Sequence, residues 1–257
     1  MKTHPLALVA FAFLVAGCGS TGGQLFSFPA AAAGPADANG GALEFTSSLG
    51  YDVTLTAATL HIGSVYLNQT VFGSVPDTEQ GCFSAGIYSA EERMPIDVDL
   101  LSPAPQPFSA PGDAISVEAK SAEVWLNGGA IDSIDDPTPI LTAAGTASLA
   151  GVDYPFTASI SIGRNRDIPT TNPALPGLNP ICKQRIVRPI VVDIVPTPGH
   201  TLLVRADPRA MFAPVDFSQL PASGSGYAFA DDDSDLADQQ LYGGLRAESG
   251  TYSFDWN

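Results

Sequence analysis

A regular alternation of apolar and polar residues over positions 152–162 constrains the fold more than any other feature of the sequence. The apolar residues are Val152, Tyr154, Phe156, Ala158, Ile160 and Ile162, and the residues between them are mostly polar. A period of two is typical of a β-strand with one buried face. Residues 142–149 precede it, and the short link Ala150–Gly151 predicts an antiparallel hairpin.

Further segments with a period of two recur along the chain. They lie at 51–67, 96–101, 115–125, 186–195, 201–207 and 251–256. Within 51–67 the apolar phase shifts, which predicts β-bulges or a break. With 25 glycines and 22 prolines among 257 residues, long helices are disfavoured. One short helix is predicted at 234–242, with Asp233 as N-cap and Gly243 just past its end.

Many short strands without alternating helices predict an all-β fold. We expect an antiparallel β-sandwich or a partly open barrel, with long Pro-rich loops at 102–112 and 166–180 and at most one short helix. Residues 43–257 are predicted to form a single domain.

The N-terminus combines one cation, Lys2, an apolar run at 6–16 and the sequence LVAGC, which ends at Cys18. This segment resembles the signal peptide and lipobox of bacterial lipoproteins. The resemblance implies cleavage after residue 17, a lipid on Cys18 and anchoring in the cell envelope, and Gly19 implies the outer membrane. The run is too short for a transmembrane helix, which needs about 20 residues. The alternative is an ordinary secretory signal peptide that leaves Cys18 as a thiol.

The segment after Cys18 has the composition of a linker. Residues 19–42 are dominated by Gly, Ala, Ser and Pro, and they predict a flexible lipidated tether over 18–42. The sequence LFSF at 25–28 is the exception. It is expected either to pair as a short strand or to lie at the lipid interface.

Two cysteines remain for the exported chain, Cys82 and Cys182. We expect them to form a disulfide in an oxidising compartment. The bond would close a loop of about 100 residues, which destabilises the unfolded chain by about 4.7 kcal/mol. A two-cysteine metal site is the alternative, but neither cysteine has a second cysteine or a histidine at ligand spacing.

The charge of the chain excludes nucleic acids as general partners. The net charge is −16, and it becomes −17 when residues 1–17 are removed, because 10 basic and 27 acidic residues remain. Such a field repels phosphate backbones and anionic lipids. If the protein is held at a membrane, the anchor must therefore be a covalent lipid and not electrostatic attraction.

No catalytic motif is present. The sequence lacks G-x-S-x-G, H-E-x-x-H, a phosphate-binding Gly-rich loop and a dinucleotide fingerprint. The two histidines after the signal segment, His61 and His200, are interpreted as structural. A copper site would combine them with Met94 and Met211, although these methionines are also expected to fill gaps in the core.

Acidic residues crowd two segments, of which the acidic loop at residues 230–238, ADDDSDLAD, is the denser. Crowded carboxylates repel unless a cation or solvent screens them, so Asp231, Asp233 and Asp235 predict a calcium site. The loop is not an EF-hand, because Leu236 and Tyr242 stand where Gly and Glu are required. A solvated loop that caps the following helix is the alternative.

Basic residues cluster in one segment of this acidic chain. They are Arg164, Arg166, Lys183, Arg185 and Arg188. Together they predict a patch that binds a carboxylate, sulfate or phosphate. The alternative is that these side chains pair with the abundant aspartates within the protein.

Three classes of function are compatible with these features. The sequence favours a non-enzymatic binding or structural module whose partner is a protein or glycan of the envelope. The second class is a calcium-binding or copper-binding lipoprotein. The third is a hydrolase of envelope glycans or esters that uses two carboxylates.

Overall fold

The computed structural model describes residues 23–70, 87–126, 137–162, 190–232, 234–247 and 249–257. The strands in chain order are β1 (Leu25–Phe28), β2 (Ala30–Ala33), β3 (Leu43–Thr46), β4 (Asp52–Ile62), β5 (Ser64–Asn68), β6 (Tyr88–Glu92), β7 (Ile96–Asp99), β8 (Gln106–Pro107), β9 (Gly112–Ile115), β10 (Ala119–Trp125), β11 (Pro139–Leu149), β12 (Val152–Ser161), β13 (Ile190–Ile194), β14 (Leu202–Ala206), β15 (Ala222–Ser223), β16 (Gly226–Ala228) and β17 (Tyr252–Trp256).

The strands form three sheets around a common apolar core. The six-stranded sheet has the order β1-β9-β6-β5-β10-β13, and the four-stranded sheet has the order β17-β14-β2-β8. The seven-stranded sheet has the order β15-β16-β12-β11-β4-β3, with β7 also paired to β4. None of these sheets closes into a barrel within the described residues, so the all-β sandwich prediction is confirmed. No described helix has the length and apolar character needed to cross a membrane.

The predicted hairpin is confirmed as β11 and β12. These strands pair antiparallel from Leu149 and Val152 at the tip to Ser161 at the far end. Ala150 and Gly151 form the turn with φ of 52° and 80°, the left-handed backbone that two-residue hairpin loops require. Of the six apolar residues of the pattern, Tyr154 is half-buried and Val152, at the tip, is exposed. The other four are buried: Phe156, Ala158, Ile160 and Ile162.

The predicted break in 51–67 is also confirmed. The chain leaves β4 in the seven-stranded sheet, passes through Gly63 and enters β5 in the six-stranded sheet. A register shift between Ala144 and Gly145 adds a bulge where β11 pairs with β4. At Gly145 the backbones approach so closely that a Cβ atom would lie 2.3 Å from Thr54 O.

The prediction of a flexible tether over 18–42 is wrong for residues 25–33. Segment 25–28 forms β1, as the strand alternative proposed, and β2 is buried along its whole length. It lies between β14, to which it is parallel, and β8. Alanine side chains are small enough for a strand to be enclosed on both faces, and a composition of small residues does not distinguish this from a linker.

The described residues contain two α-helices, whereas the sequence predicted at most one. Helix α1 (Pro208–Phe212) begins after Asp207, whose carboxylate accepts a hydrogen bond from Arg209 N–H. Proline at the first helical position and aspartate before it are favourable starts. Five residues are too few for an apolar period to appear, which is why periodicity missed this helix.

The predicted helix near 234–242 exists as α2 (Leu236–Leu245), but its bounds are shifted. Its N-cap is Asp235, which accepts from the N–H groups of Ala237 and Asp238. It does not end before Gly243, because the glycines lie inside it. Gly244 packs against α1, where a Cβ atom would lie 2.0 Å from Met211 O.

Four phenylalanines form the centre of the core beside the seven-stranded sheet. The phenylalanine cluster comprises Phe156, Phe212, Phe217 and Phe229, which come from β12, α1, a 3₁₀ helix at Phe217–Gln219 and the loop after β16. Their ring centroids lie 5.0 to 6.4 Å apart, and all four are buried. Such contacts supply apolar burial without any polar group to satisfy.

Candidate functional site

Many of the predicted site residues lie outside the described residues. These are Cys18, Cys82, Cys182, Asp233, Arg164, Arg166, Lys183, Arg185 and Arg188. Lipidation, the disulfide and the anion-binding patch therefore stay predictions. For calcium, the structure describes two of the three predicted ligands.

Those two aspartates make hydrogen bonds within the fold. Asp231 has a left-handed backbone with φ of 55°, and its carboxylate accepts from Ser161 N–H at 2.8 Å and Ser161 Oγ at 2.7 Å. It thereby ties the acidic loop to the end of β12. Asp235 is the N-cap of α2. This agrees with the alternative to a calcium site, in which the acidic loop caps the following helix.

The acidic loop also contains a buried carboxyl that is incompletely hydrogen-bonded. Asp238 is fully buried; its Oδ2 accepts from Asp232 N–H at 3.1 Å, whereas Oδ1 makes no well-formed hydrogen bond, although the backbone of Ala230 is near enough to affect the pKa of Asp238. Burial raises the pKa of Asp238 to about 6, and the charges of Asp235 and Asp231 act in the same direction. Among the residues the structure describes, no three His, Cys, Asp or Glu side chains are arranged to hold a metal ion.

The four candidate copper ligands lie on separate elements. His61 on β4 contacts Asp97 on β7, with Nδ1 2.6 Å from Oδ1. His200 is exposed in the loop before β14. Met211 is buried in α1 and fills the core as predicted, but Met94 is exposed, so that interpretation is wrong for Met94.

A set of polar and aromatic side chains that the sequence analysis did not single out lies on one face of the six-stranded sheet. We name Tyr66, Asn68, Tyr88, Glu123 and Trp125 the aromatic–carboxylate cluster. They come from β6, β5 and β10, three adjacent strands within that sheet. Because side chains alternate along a strand, their neighbours on β5 and β10 point to the other face and into the core.

The strand register brings these side chains together. Glu123 pairs with Tyr66, and Tyr88 pairs with Asn68. The ring of Tyr66 lies 4.8 Å from that of Tyr88 and 5.2 Å from that of Trp125, measured between centroids. Trp125 Nε1 donates a hydrogen bond of 3.1 Å to Glu123 Oε2. The cluster therefore presents aromatic rings around one carboxylate.

Burial changes the acid–base properties of the cluster. It raises the pKa of Glu123, although the hydrogen bond from Trp125 and the nearby amide of Asn68 oppose the change. Burial also raises the pKa of Tyr88 to about 12, and the charge of Glu123 adds to it. The pKa of Tyr66 is raised for the same primary reason. Several perturbed groups in one cluster mark a candidate functional site.

Asn68 is the least satisfied member of the cluster. Its side chain is fully buried, and neither Nδ2 nor Oδ1 makes a well-formed hydrogen bond, although the amide is near enough to Glu123 to affect its pKa. A buried amide with unused donors and acceptors costs about 1–3 kcal/mol. Few buried side-chain amides in folded proteins lack well-formed hydrogen bonds, which singles out Asn68 within the cluster.

Two concavities lie elsewhere on the described surface. A cavity of about 90 Å³ is bordered by Tyr88, Glu91 and Leu25, at the margin of the cluster. A larger groove of about 360 Å³ is lined by Asp37, Asn39, Glu44 and Arg209 among others.

Arg209, which lines the larger groove, is paired with acidic side chains of the protein itself. Arg209 donates to both carboxylate oxygens of Asp37 at 2.7 and 2.9 Å, and to Asp207 at 2.7 to 3.0 Å. The hydrogen bonds from Arg209 lower the pKa of Asp37. Arg209 is thus committed to two aspartates, and it holds the loop after β2 against the start of α1.

Two sequence signals could have pointed to the cluster. Asn68 follows apolar residues in the strand SVYLN, and Glu123 stands between Ala122 and Val124 in AKSAEVW; polar side chains of that size are unusual at such positions. The proximity of the two segments is set by β-sheet register, which the sequence pattern does not reveal.

No family model and no curated protein matches the chain. The protein is similar to a solved structure, MbnP from Methylosinus trichosporium, with 12% sequence identity and a TM-score of 0.42. The match covers 91% of this chain and 98% of that one.

Proposed function

We propose that this protein is a bacterial envelope lipoprotein, anchored to the outer membrane through lipid on Cys18, whose β-domain is a binding module rather than an enzyme. The sequence LVAGC after a short apolar run supports the anchor. The aromatic–carboxylate cluster is the proposed binding site, and the observation that carries this assignment is the buried amide of Asn68, which makes no well-formed hydrogen bond although it lies near Glu123.

The chemistry of the cluster favours a neutral ligand that bears hydroxyl groups, such as an envelope glycan. The Asn68 amide offers donors and an acceptor, and Glu123 offers an acceptor. Aromatic rings provide apolar contact area around these polar groups. An anionic ligand is disfavoured, because Glu123 lies in the cluster and the whole chain is strongly acidic.

Calorimetric titration of the purified protein with neutral envelope oligosaccharides tests this proposal. We expect saturable binding that Asn68→Leu abolishes, because leucine has a similar shape but no polar atoms. Asn39→Leu is the matched control, since Asn39 is exposed and lines the separate groove. Equal binding by wild type and Asn68→Leu would contradict the assignment, and loss of binding in Asn39→Leu alone would move the site to the groove.

A second candidate function is calcium binding by the acidic loop, and the buried Oδ1 of Asp238 is the observation that favours it. Asp231 and Asp235 lie close enough to raise its pKa, so a cation there would relieve their repulsion. A site with Kd of about 10⁻⁴ M at about 1 mM calcium would stabilise the protein by roughly 1.4 kcal/mol.

Thermal unfolding in calcium, magnesium and sodium at matched ionic strength tests the second candidate. We expect a rise in Tm of about 3–6 °C that is specific to calcium and is lost in Asp238→Asn. Asp255→Asn is the control, because Asp255 is an exposed aspartate on β17. Equal shifts with all three salts would show only screening of the net charge.

A further inference from the structure

Exposed apolar side chains gather at one end of the six-stranded sheet. Leu25, Ile87 and Val195 are 73%, 64% and 52% exposed, respectively. We name these three residues the apolar end. Single exposed apolar residues need no explanation, but several at one end of the same sheet can contact a common apolar surface.

Strand register places Leu25 and Ile87 at the same end. Ala90 pairs with Ala114, and Leu25 pairs with Ile115, the next residue of β9. Because β6 and β9 are antiparallel, the residues that precede Ala90 lie on the side of Ile115. Tyr88 and then Ile87 are therefore at the same end of the sheet as Leu25. The cavity of about 90 Å³ that both Leu25 and Tyr88 border confirms that these segments adjoin.

The pairing of β5 with β10 and of β10 with β13 places Val195 at this end of the sheet as well. Asn68 on β5 pairs with Ser121 on β10. The next residue, Gln69, donates its N–H to Ile87 O, so this end of β5 lies beside Ile87. Continuing past Ser121 in this direction leads to Ala119, which pairs with Ile194 of β13. Val195 is the next residue, so all three apolar side chains lie at the same end of the sheet, although β9 separates Leu25 from Ile87, and β5 and β10 separate Ile87 from Val195.

The chain between Cys18 and β1 is short. Because β1 begins at Leu25, only residues 19–24 separate it from the cysteine. Six residues span at most about 20 Å when fully extended. A lipid on Cys18 would therefore hold the apolar end close to the bilayer, whereas a tether over 18–42 would have left the domain free to move away.

We propose that the apolar end rests on the lipid bilayer, with Leu25 and Ile87 at the level of the head groups. This inference rests on the lipidation of Cys18 in the proposed function. Charged residues also lie beside this end, among them Glu118, Lys120 and Asp193, and Lys120 contacts Glu118. The strongly acidic domain is repelled by anionic lipids, so the contact depends on the anchor and on apolar side chains.

Photocrosslinking in the full chain tests the inference. Leu25 is replaced by p-benzoylphenylalanine, and the lipidated protein is purified and reconstituted in phosphatidylethanolamine–phosphatidylcholine vesicles. Val152 is the matched control position, because it is an exposed apolar residue at the β11–β12 tip. We expect several-fold more phospholipid adduct from position 25 than from position 152, detected by mass spectrometry.

Other outcomes overturn the inference in distinguishable ways. The intact mass of the same sample shows whether Cys18 carries lipid, and a mass without lipid contradicts both the anchor and the inference. If lipid is present but the two positions give equal phospholipid adducts or none, the anchor stands and the bilayer contact is wrong. Crosslinking of position 25 to a second copy, or to a protein when the experiment is repeated in cells, would identify that protein as the occupant instead.

Discussion

The phenylalanine cluster and the aromatic–carboxylate cluster are two buried aromatic groups with different chemistry. Rings in both lie about 5 to 6 Å from their neighbours. The phenylalanine cluster has no polar atoms, whereas the aromatic–carboxylate cluster contains a carboxylate with a raised pKa and an amide without well-formed hydrogen bonds. Both clusters lie in the same protein and next to β-sheets, so the difference is not imposed by the fold class.

This contrast separates stability from function. Apolar aromatic side chains stabilise the fold in proportion to the area they bury. Burying an unpaired amide and a carboxylate lowers stability, and protein interiors contain few such groups. We therefore infer that the phenylalanine cluster maintains the fold and that the aromatic–carboxylate cluster is retained for binding.

Removing a ring from the phenylalanine cluster gives the largest expected effect. Phe217 is fully buried and contacts Phe156, Phe212 and Phe229. Phe217→Ala should lower the free energy of unfolding by about 3–5 kcal/mol, because it leaves a cavity that neighbouring rings cannot fill. Denaturant unfolding measures this value, and a loss below about 1 kcal/mol would show that this cluster does not maintain the fold.

Removing the polar atoms of Asn68 should change the free energy of unfolding in the opposite direction. Asn68→Leu eliminates a buried, unpaired amide, and we expect the free energy of unfolding to rise by about 1 kcal/mol. The same denaturant experiment provides the measurement. A marked loss of stability would mean that Asn68 contributes to the fold, and the contrast between the clusters would fail.

The smallest expected effect is a pH dependence caused by Glu123. Because burial raises the pKa of Glu123, its folded-state pKa lies above the unfolded value, and the ionised form lowers stability at neutral pH. That cost disappears as the pH falls through the folded pKa. Glu123→Gln should therefore be more stable than wild type at pH 7, and the difference should shrink at acidic pH. A difference that is independent of pH would contradict a buried, titrating Glu123.

Local patterns in the sequence predicted the strands well. The alternation over 152–162 and the Ala150–Gly151 link were sufficient for the β11–β12 hairpin, because period and turn chemistry are local properties. The buried strand Ala30–Ala33 was missed, since its side chains show no alternation and its burial depends on β14 and β8.

The aromatic–carboxylate cluster could not be predicted from the sequence, and the reason is different. Asn68 and Glu123 are 55 positions apart, and only the pairing of β5 with β10 brings them together. The acidic loop was noticed because its residues are consecutive, yet the structure uses Asp231 and Asp235 for hydrogen bonds to β12 and α2. Conspicuous clusters in a sequence are local, whereas binding sites in β-proteins join distant strands.

The most direct test of the central claim uses Trp125 as a reporter inside the aromatic–carboxylate cluster. Trp256→Phe removes the second of the two tryptophans at a position that packs against Phe28, and it leaves Trp125 as the single emitter. Titration of this variant with neutral envelope oligosaccharides should shift the emission of Trp125 in a saturable way. Adding Asn68→Leu should abolish the shift while the protein remains folded. An unchanged Trp125 spectrum, or the same shift with Asn68→Leu, would contradict the assignment of this cluster as the binding site.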